Sequence, residues 1–240
     1  MKILVVNDDS INSPGLAVLA QAAAQIGEVY VVAPAEQCSA MSQKLTIHGN
    51  LPVAKVDFPV DVKAAYKVGG TPVDCVKVAL QYILDEKPDY VFSGINEGYN
   101  VGYDIAYSGT LGATFEAVMN GIPAMAFSNT MGGSLDMAKK YLLPIAKELI
   151  EAGQGRGEVW NVNFPGYMGT EPNGIWRDCT IAPLQFYLED YIEEKQPDGT
   201  VTLRGNGRPI TECSEEFAGT DVDAMLKGYI SIGKVKSCVL

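Results

Sequence analysis

Hydrophobic and polar positions alternate along the first two thirds of the chain at two different periods. Lys2 to Asn7 opens on an unbroken apolar run, Ile3-Leu4-Val5-Val6, the pattern of a strand buried on both faces. Pro14-Gly15 then starts a helical stretch, Leu16 to Ile26, in which Leu16, Leu19, Ala20 and Ala23 share one face, and Gly27 ends it. Glu28 to Ala33, closed by Pro34, reads as a second strand. The three segments form a β-α-β unit, whose crossover is right-handed in nearly all proteins.

After a less regular stretch the rhythm resumes. Thr71-Pro72 caps a helix running from about Val73 to Leu84, with Val76, Leu80 and Ile83 on one face. Asp89 to Phe92 is the next strand, Ser108 to Met119 a helix and Ile122 to Phe127 a strand. Leu135 to Ala152 and Glu158 to Asn163 repeat the pair. This alternation predicts an α/β fold, a mostly parallel sheet with helices on both faces.

Beyond Pro165 the character changes. Asp178 to Leu188 and Thr200 to Arg204 are short and β-like, and Pro197-Asp198-Gly199 is a turn signal between them. A β-hairpin extension in the C-terminal third is expected there. The chain returns through a helix at Thr220 to Lys227 and a closing strand at Tyr229 to Ile232. Residues 1–165 and 219–233 are therefore read as one body and 166–218 as a β-rich extension, effectively a single-domain chain.

Composition narrows the function. Eighteen basic against twenty-nine acidic side chains give a formal charge of −11. That balance argues against a nucleic-acid duplex or an anionic membrane as partner, yet it leaves small phosphorylated ligands open because a bound cation reverses the local field. No apolar run reaches the length of a membrane span, and the first one is too short for a signal peptide. Cys38, Cys75, Cys179, Cys213 and Cys238 are odd in number and contain no C-x-x-C pair, so reduced, mostly buried thiols and a cytoplasmic location are expected.

In open α/β sheets, ligands bind beyond the carboxyl ends of the strands. The first strand is followed by Asn7-Asp8-Asp9-Ser10, the second by Pro34 to Ser39, and the strand at Tyr90 by Ser93-Gly94-Ile95-Asn96-Glu97-Gly98-Tyr99-Asn100. Adjacent carboxylates repel unless a cation or a network holds them, and hard divalent cations take carboxylate, amide and hydroxyl oxygens. A helix cap plus one solvated acid explains Asp8-Asp9 taken alone. Joined to Ser39 and Asn96, the pair reads better as a metal site. Ser108-Gly109-Thr110 stands at a helix start, where free amides and the positive dipole end favour an anion. A plain serine cap is the alternative there, and the nearby Asn96 and Asn100 favour a phosphate. Acidic pair and helix start lie on different loops and are read as separable parts. His48, the only histidine, is assigned a structural role, while Gly69-Gly70-Thr71-Pro72 reads equally as a ligand contact or a capped turn. Asp221 is either a helix cap or a side chain pointing into the site.

Taken together these motifs resemble the SurE family, the stationary-phase survival nucleotidases. The likeness runs from Val5-Val6-Asn7-Asp8-Asp9 through Cys38-Ser39 and Gly70-Thr71-Pro72-Val73-Asp74-Cys75. It is densest at Ser93 to Asn100 and Tyr107 to Thr110, and ends at Gly219-Thr220-Asp221 and Gly228 to Ile232. The resemblance implies a Rossmann-like body and a metal-dependent phosphomonoesterase that cleaves nucleoside 5'- and 3'-monophosphates and, in some members, polyphosphate. It implies one divalent ion per subunit, Mg2+ or Mn2+, on Asp8, Asp9, Ser39 and Asn96. Phosphate contacts fall on Asn100, Ser108, Gly109 and Thr110, with Asp8, Asp9 and Asn100 in the catalytic set. It also implies a homodimer or homotetramer that exchanges C-terminal elements. Two departures stand out: the family usually has glycine where this chain has Ser10 and Ala40.

The expected chemistry needs no protein nucleophile, since a divalent cation polarises the phosphoryl oxygen and activates the attacking water. A dinucleotide oxidoreductase would carry G-x-G-x-x-G where the two carboxylates sit. An aspartyl-phosphate phosphatase would carry D-x-D, and a receiver-type regulator an acceptor Asp after a middle strand, where Ser93-Gly94-Ile95-Asn96 offers none. The non-enzymatic alternative is a catalytically weak nucleotide-sensing protein of the same fold.

Overall fold

The computed structural model of the chain describes residues 1–188, 190–207 and 217–240, which leaves Cys213 outside the described residues. The body is built on strands β1 (Lys2–Val6), β2 (Glu28–Pro34), β3 (Val53–Val56), β4 (Ala64–Val68), β5 (Tyr90–Glu97), β6 (Ala124–Asn129), β7 (Glu158–Phe164) and β8 (Ile175–Cys179). A hairpin follows, β9 (Asp190–Lys195) and β10 (Val201–Asn206), and the chain closes with β11 (Ile230–Lys236). Helices are α1 (Pro14–Ala23), α2 (Pro72–Val78), α3 (Gly109–Met119), α4 (Asp136–Ala152) and α5 (Asp221–Leu226). Among the described residues one nine-stranded sheet runs β3-β4-β2-β1-β5-β6-β7-β11-β8, and β9-β10 form a separate pair.

The two-residue period of β1 sorts its side chains onto two helical layers. Ile3 and Val5 face α1 and α4, joining Leu16, Leu19, Phe92, Phe127, Met137 and Leu142. Leu4 and Val6 face α2 and α3, joining Val76, Val91, Leu111 and Ala117. Parallel pairing of β2, β1, β5, β6 and β7 aligns all five carboxyl ends. From β1 the chain passes to β2 on one side, while β5 lies on the other. The end of β1 is therefore a topological switch point, where the helix connections diverge and leave a crevice.

The predicted alternation is present, with three differences. The irregular stretch holds β3 and β4, a short antiparallel pair at the sheet edge. Lys55, Lys67 and Asp57 break its apolar pattern because one face is exposed. The helix expected to run to Leu84 turns at Ala79–Ile83 into a π-helical segment. The β-like stretch at 178–188 is not the first hairpin strand. β8 ends at Cys179 as a parallel neighbour of β11 in the main sheet, and the hairpin begins at Asp190.

Between β8 and the hairpin, residues 180–188 fold back over the loop that follows β5. Ala182, Leu184 and Phe186 bury against Tyr99, Val101, Val222 and Met225. Two buried carboxylates sew this layer down. Asp221 accepts from Gly102 N at 3.0 Å, Ala182 N at 2.9 Å and Val222 N at 2.9 Å. Asp104 accepts from Phe186 N at 2.6 Å and Tyr187 N at 3.3 Å. Asp221 thus neither caps α5, a task that falls to Thr220, nor needs the site to explain it.

Asp221→Ala strands three buried amide donors, at a combined cost of about 3 kcal/mol. For a chain of this size that is a fall in Tm of about 6–12 °C by thermal melt. A fall below about 2 °C would show that the clamp carries none of the layer's stability.

Candidate metal and phosphate site

Each strand end places its side chains by a different local device. Asp8, only 4% exposed, stands two residues beyond the end of β1. Its backbone oxygen accepts from Cys38 N at 2.7 Å, which draws the loop after β2 against it and sets Ser39 one residue away, exposed in a turn. Asp9 Oδ2 accepts from Glu97 N at 2.9 Å, which draws in the end of β5 and sets Asn96 one residue away. Asn96 Nδ2 donates to Gly98 O at 2.8 Å, so its Oδ1 is the atom left for a ligand. The four residues expected to hold a metal thus come from three adjacent strand ends.

The helix start is closer to the acidic pair than its sequence separation suggests. A Cβ at Gly109 would lie 3.0 Å from both Asp8 Cβ and Asp8 Oδ2, and 3.2 Å from Cys38 O. Any side chain there would push the helix off the carboxylate. Thr110, fully buried, donates its hydroxyl to Asp8 Oδ1 at 2.7 Å. The Thr110 hydroxyl is thus engaged by Asp8, and the helix start lies in direct contact with the acidic pair although the two stand on different loops. Ser108 caps α3 by accepting from Leu111 N at 3.1 Å, which leaves its own O–H free to donate outward.

Asn100 makes no hydrogen bond to the acids. It is held from the far side by residues that the sequence reading missed. Its Nδ2 donates to Ser128 Oγ at 2.7 Å and its N to Asn163 Oδ1 at 2.9 Å. Its carbonyl accepts from Asn161 Nδ2 at 2.8 Å and Asn163 Nδ2 at 3.2 Å. Strand register puts Asn96, Ser128 and Asn163 in one row across β5, β6 and β7. Polar side chains inside otherwise apolar buried strands were the available signal, at Ser128 and at Asn161 and Asn163 in Trp160-Asn161-Val162-Asn163-Phe164.

Electrostatics mark the acids as uncompensated. Among the described residues no salt bridge reaches Asp8 or Asp9, and none of the eight predicted site residues is basic. Burial pushes Asp8 up to about 7, against the opposing Thr110 hydrogen bond and with help from the charge on Asp9. Burial also raises Asp9, opposed by the Glu97 amide and reinforced by the Glu97 carboxylate. A divalent cation fits this donor set: two carboxylates in need of charge, an amide oxygen with its nitrogen already committed, and a hydroxyl. All are hard oxygen donors, and with only two acids the set does not form a cluster of three or more His, Cys, Asp or Glu, of which there is none among the described residues.

The two departures from glycine both fall on left-handed backbone, Ser10 at φ 85° and Ala40 at φ 55°. Each is the residue immediately after a proposed ligand, Asp9 or Ser39, and carries a Cβ where glycine would be free of strain. The remaining candidates resolve as structure. Thr71 and Asp74 form a capping box, with Asp74 also bound to Thr46. His48 is exposed in coil rather than lodged in a β-stretch, and Cys75 and Cys179 are buried free thiols, with Cys38 half-buried and Cys238 exposed.

Comparison with known proteins bears on this arrangement. The family model described as Survival protein SurE matches residues 3–185. A 5'-nucleotidase SurE from Geotalea uraniireducens is 43% identical over 243 residues, covering 97% of this chain and 91% of that protein. One from Christiangramia forsetii is 35% identical over 238 residues, with 98% and 90% covered. The crystal structure of the SurE protein from Aquifex aeolicus superposes with a TM-score of 0.83 at 35% identity, over 98% of this chain and 93% of that one.

The buried acid generates a sign that can be checked on metal-free protein. Because the folded state holds the Asp8 proton more tightly than the unfolded chain, stability falls as pH rises from about 4 to about 7 and stays low above that. In excess chelator, Tm at pH 8 should lie below Tm at pH 5, and Asp8→Asn should remove most of that slope while keeping an acceptor for Thr110. Identical pH slopes for the two proteins would show that Asp8 is not the group responsible.

Proposed function

The chain belongs to the SurE family, and we propose that it is a metal-dependent 5'-nucleotidase, releasing phosphate from nucleoside monophosphates at the carboxyl end of β1. One observation carries this reading beyond the kinship: an uncompensated acidic pair whose buried member, Asp8, packs directly on a helix N-terminus. A cation satisfies the first and a phosphate the second.

Asp8, Asp9, Ser39 and Asn96 are assigned to hold one divalent ion per subunit, with Mg2+ or Mn2+ the hard cations that suit them. When bound, such an ion supplies positive charge that screens the acids and polarises a phosphoryl oxygen. The chain supplies the rest. The Thr110 hydroxyl donates to Asp8, and Gly109 lets the start of α3 pack against that carboxylate. The Ser108 hydroxyl and Asn100 are assigned to the phosphoryl oxygens, where fixed donors stabilise developing charge. Asp9, the more exposed of the two acids, is placed to orient the attacking water. Activity on 3'-monophosphates and polyphosphate extends the same proposal, since the recognised group is the phosphoryl itself. Relatives named 5'-nucleotidase favour the enzyme over the nucleotide-sensing alternative.

Assembly belongs to the proposal as well. Both faces of the β9-β10 pair are exposed, with Tyr191 at 58%, Ile192 at 39%, Val201 at 50% and Leu203 at 55%. A lone two-stranded hairpin is marginal in water, so these side chains call for a second copy of the chain. The hairpin, and not the whole span 166–218 that includes β8 of the main sheet, is thus assigned to a homodimer or homotetramer. No helix of the described residues is long and apolar enough to cross a membrane. The free thiols suit a reducing cytoplasm.

Phosphate release measured on a panel of nucleoside monophosphates should require added Mg2+ or Mn2+ and vanish in excess chelator. Asp9→Asn should weaken cation binding by calorimetry while leaving the fold intact by circular dichroism. Full turnover in chelator would overturn the metal assignment. Light scattering at micromolar concentration should give a mass at least twice that of one chain, and a strictly monomeric mass would overturn the role given to the hairpin.

A further inference from the structure

Tyr187 stands out among the exposed aromatic residues because it is held by two hydrogen bonds although the residue is 54% exposed. Its hydroxyl donates to Tyr99 O at 3.1 Å, and its backbone N donates to the buried Asp104 at 3.3 Å. The preceding Phe186 is locked into the layer formed with Tyr99, Val101 and Leu184. Burial of the hydroxyl and the nearby Asp104 push it up to about 12, so the tyrosine stays a neutral donor.

Its position follows from Gly98. A Cβ at that residue would lie 3.0 Å from Tyr187 Oη, 3.6 Å from Asn96 Nδ2 and 3.8 Å from Met131 Cε. The hydroxyl of Tyr187, the amide of Asn96 and the methyl of Met131 therefore converge on one small residue. Met131 is itself 65% exposed. A rigid aromatic ring and a polarisable thioether flank the strand end assigned to the cation, and neither is needed there by the core. Gly98 lies two residues beyond Asn96, so these groups border the strand end at which the phosphomonoester is proposed to bind.

We infer that Tyr187 is the nucleobase platform of this enzyme: the base of a nucleoside monophosphate stacks on its ring, with Met131 beside it, and distinguishes nucleotides from other phosphomonoesters. This rests on the nucleotidase reading and adds the specificity element to it. Stacking uses the π-face that every base has, so the platform accepts purines and pyrimidines alike, with purines held more tightly through their larger area.

The test uses steady-state kinetics on the full-length, metal-loaded protein with two substrates, adenosine 5'-monophosphate and glycerol phosphate, which has no base. Wild-type turnover of adenosine 5'-monophosphate is measured first, and its absence would refute the nucleotidase reading itself. Given turnover, Tyr187→Leu, which keeps bulk but loses the ring, should raise KM for the nucleotide about five- to a hundredfold. Its kcat should change little, and kcat/KM on glycerol phosphate should stay within about twofold. Tyr187→Phe, which keeps the ring, should retain most of the nucleotide affinity. Equal losses on both substrates would overturn the inference and make Tyr187 a positioning residue for the Asn96 loop. No change on either substrate would overturn it as well.

Discussion

The carboxyl edge of the sheet is organised around the burial of Asp8 with no cationic side chain beside it. Taking a carboxylate out of water without a counter-charge costs enough that proteins usually protonate it, pair it or avoid it. Here the neighbours are a second acid, Asp9, and neutral groups: one hydroxyl from Thr110, the start of α3 against its side chain, and the Cys38 amide on its backbone. Those contacts locate the rest. They bring the β2 loop and the α3 start to the same point, and Asp9, through the Glu97 amide, brings the end of β5. The crevice that the sheet topology leaves open at β1 is thus filled by loops that converge on two acids.

Much of this was legible because it is local. A continuous apolar strand, a helix of period 3.6 and an oxygen-rich strand end each declare themselves within about ten residues, which is why β1, α1, β5, α3 and the Asp8, Ser39 and Asn96 positions could be read. What was missed depends on partners distant in sequence. β3 and β4 form an edge pair with one solvated face, so their pattern is too polar to stand out. The strand-like run at 178–188 is apolar because it covers Tyr99 and Val101, a burial that periodicity alone reads as strand. Thr110 and Asp8 are separated by 102 positions, and only the packing of α3 beneath β1 reveals that one donates to the other. The amide side chains of Asn161 and Asn163 were hidden for the same reason, since their partner Asn100 lies in another strand's loop.

The two sides of the site differ in how firmly they are held. On the β5 to β7 side, Asn100 is fixed by four hydrogen bonds from three side chains, and the layer above it is pinned by Asp104 and Asp221. On the β1 to β2 side, Ser10 and Ala40 hold left-handed conformations that glycine would take without strain. The turns bearing Asp9 and Ser39 therefore keep their shape against a local preference to relax, and the nearby contacts of Cys38 and Gln37 with the acidic pair oppose that relaxation.

No lysine or arginine belongs to the set assigned to cation and phosphate. A phosphate dianion entering beside two carboxylates is repelled until positive charge stands between them, so the two ligands cannot load independently. Linkage is reciprocal: whatever factor the cation gives to nucleotide affinity, the nucleotide returns to cation affinity. Under the proposed assignment, occupancy would behave as a coincidence detector, populated when both are abundant and emptied when either is scarce. A basic side chain in the same place would hold phosphate at all times and slow its departure after cleavage. Leaving that charge to a diffusible ion would, under the proposed assignment, make throughput follow the free cation level.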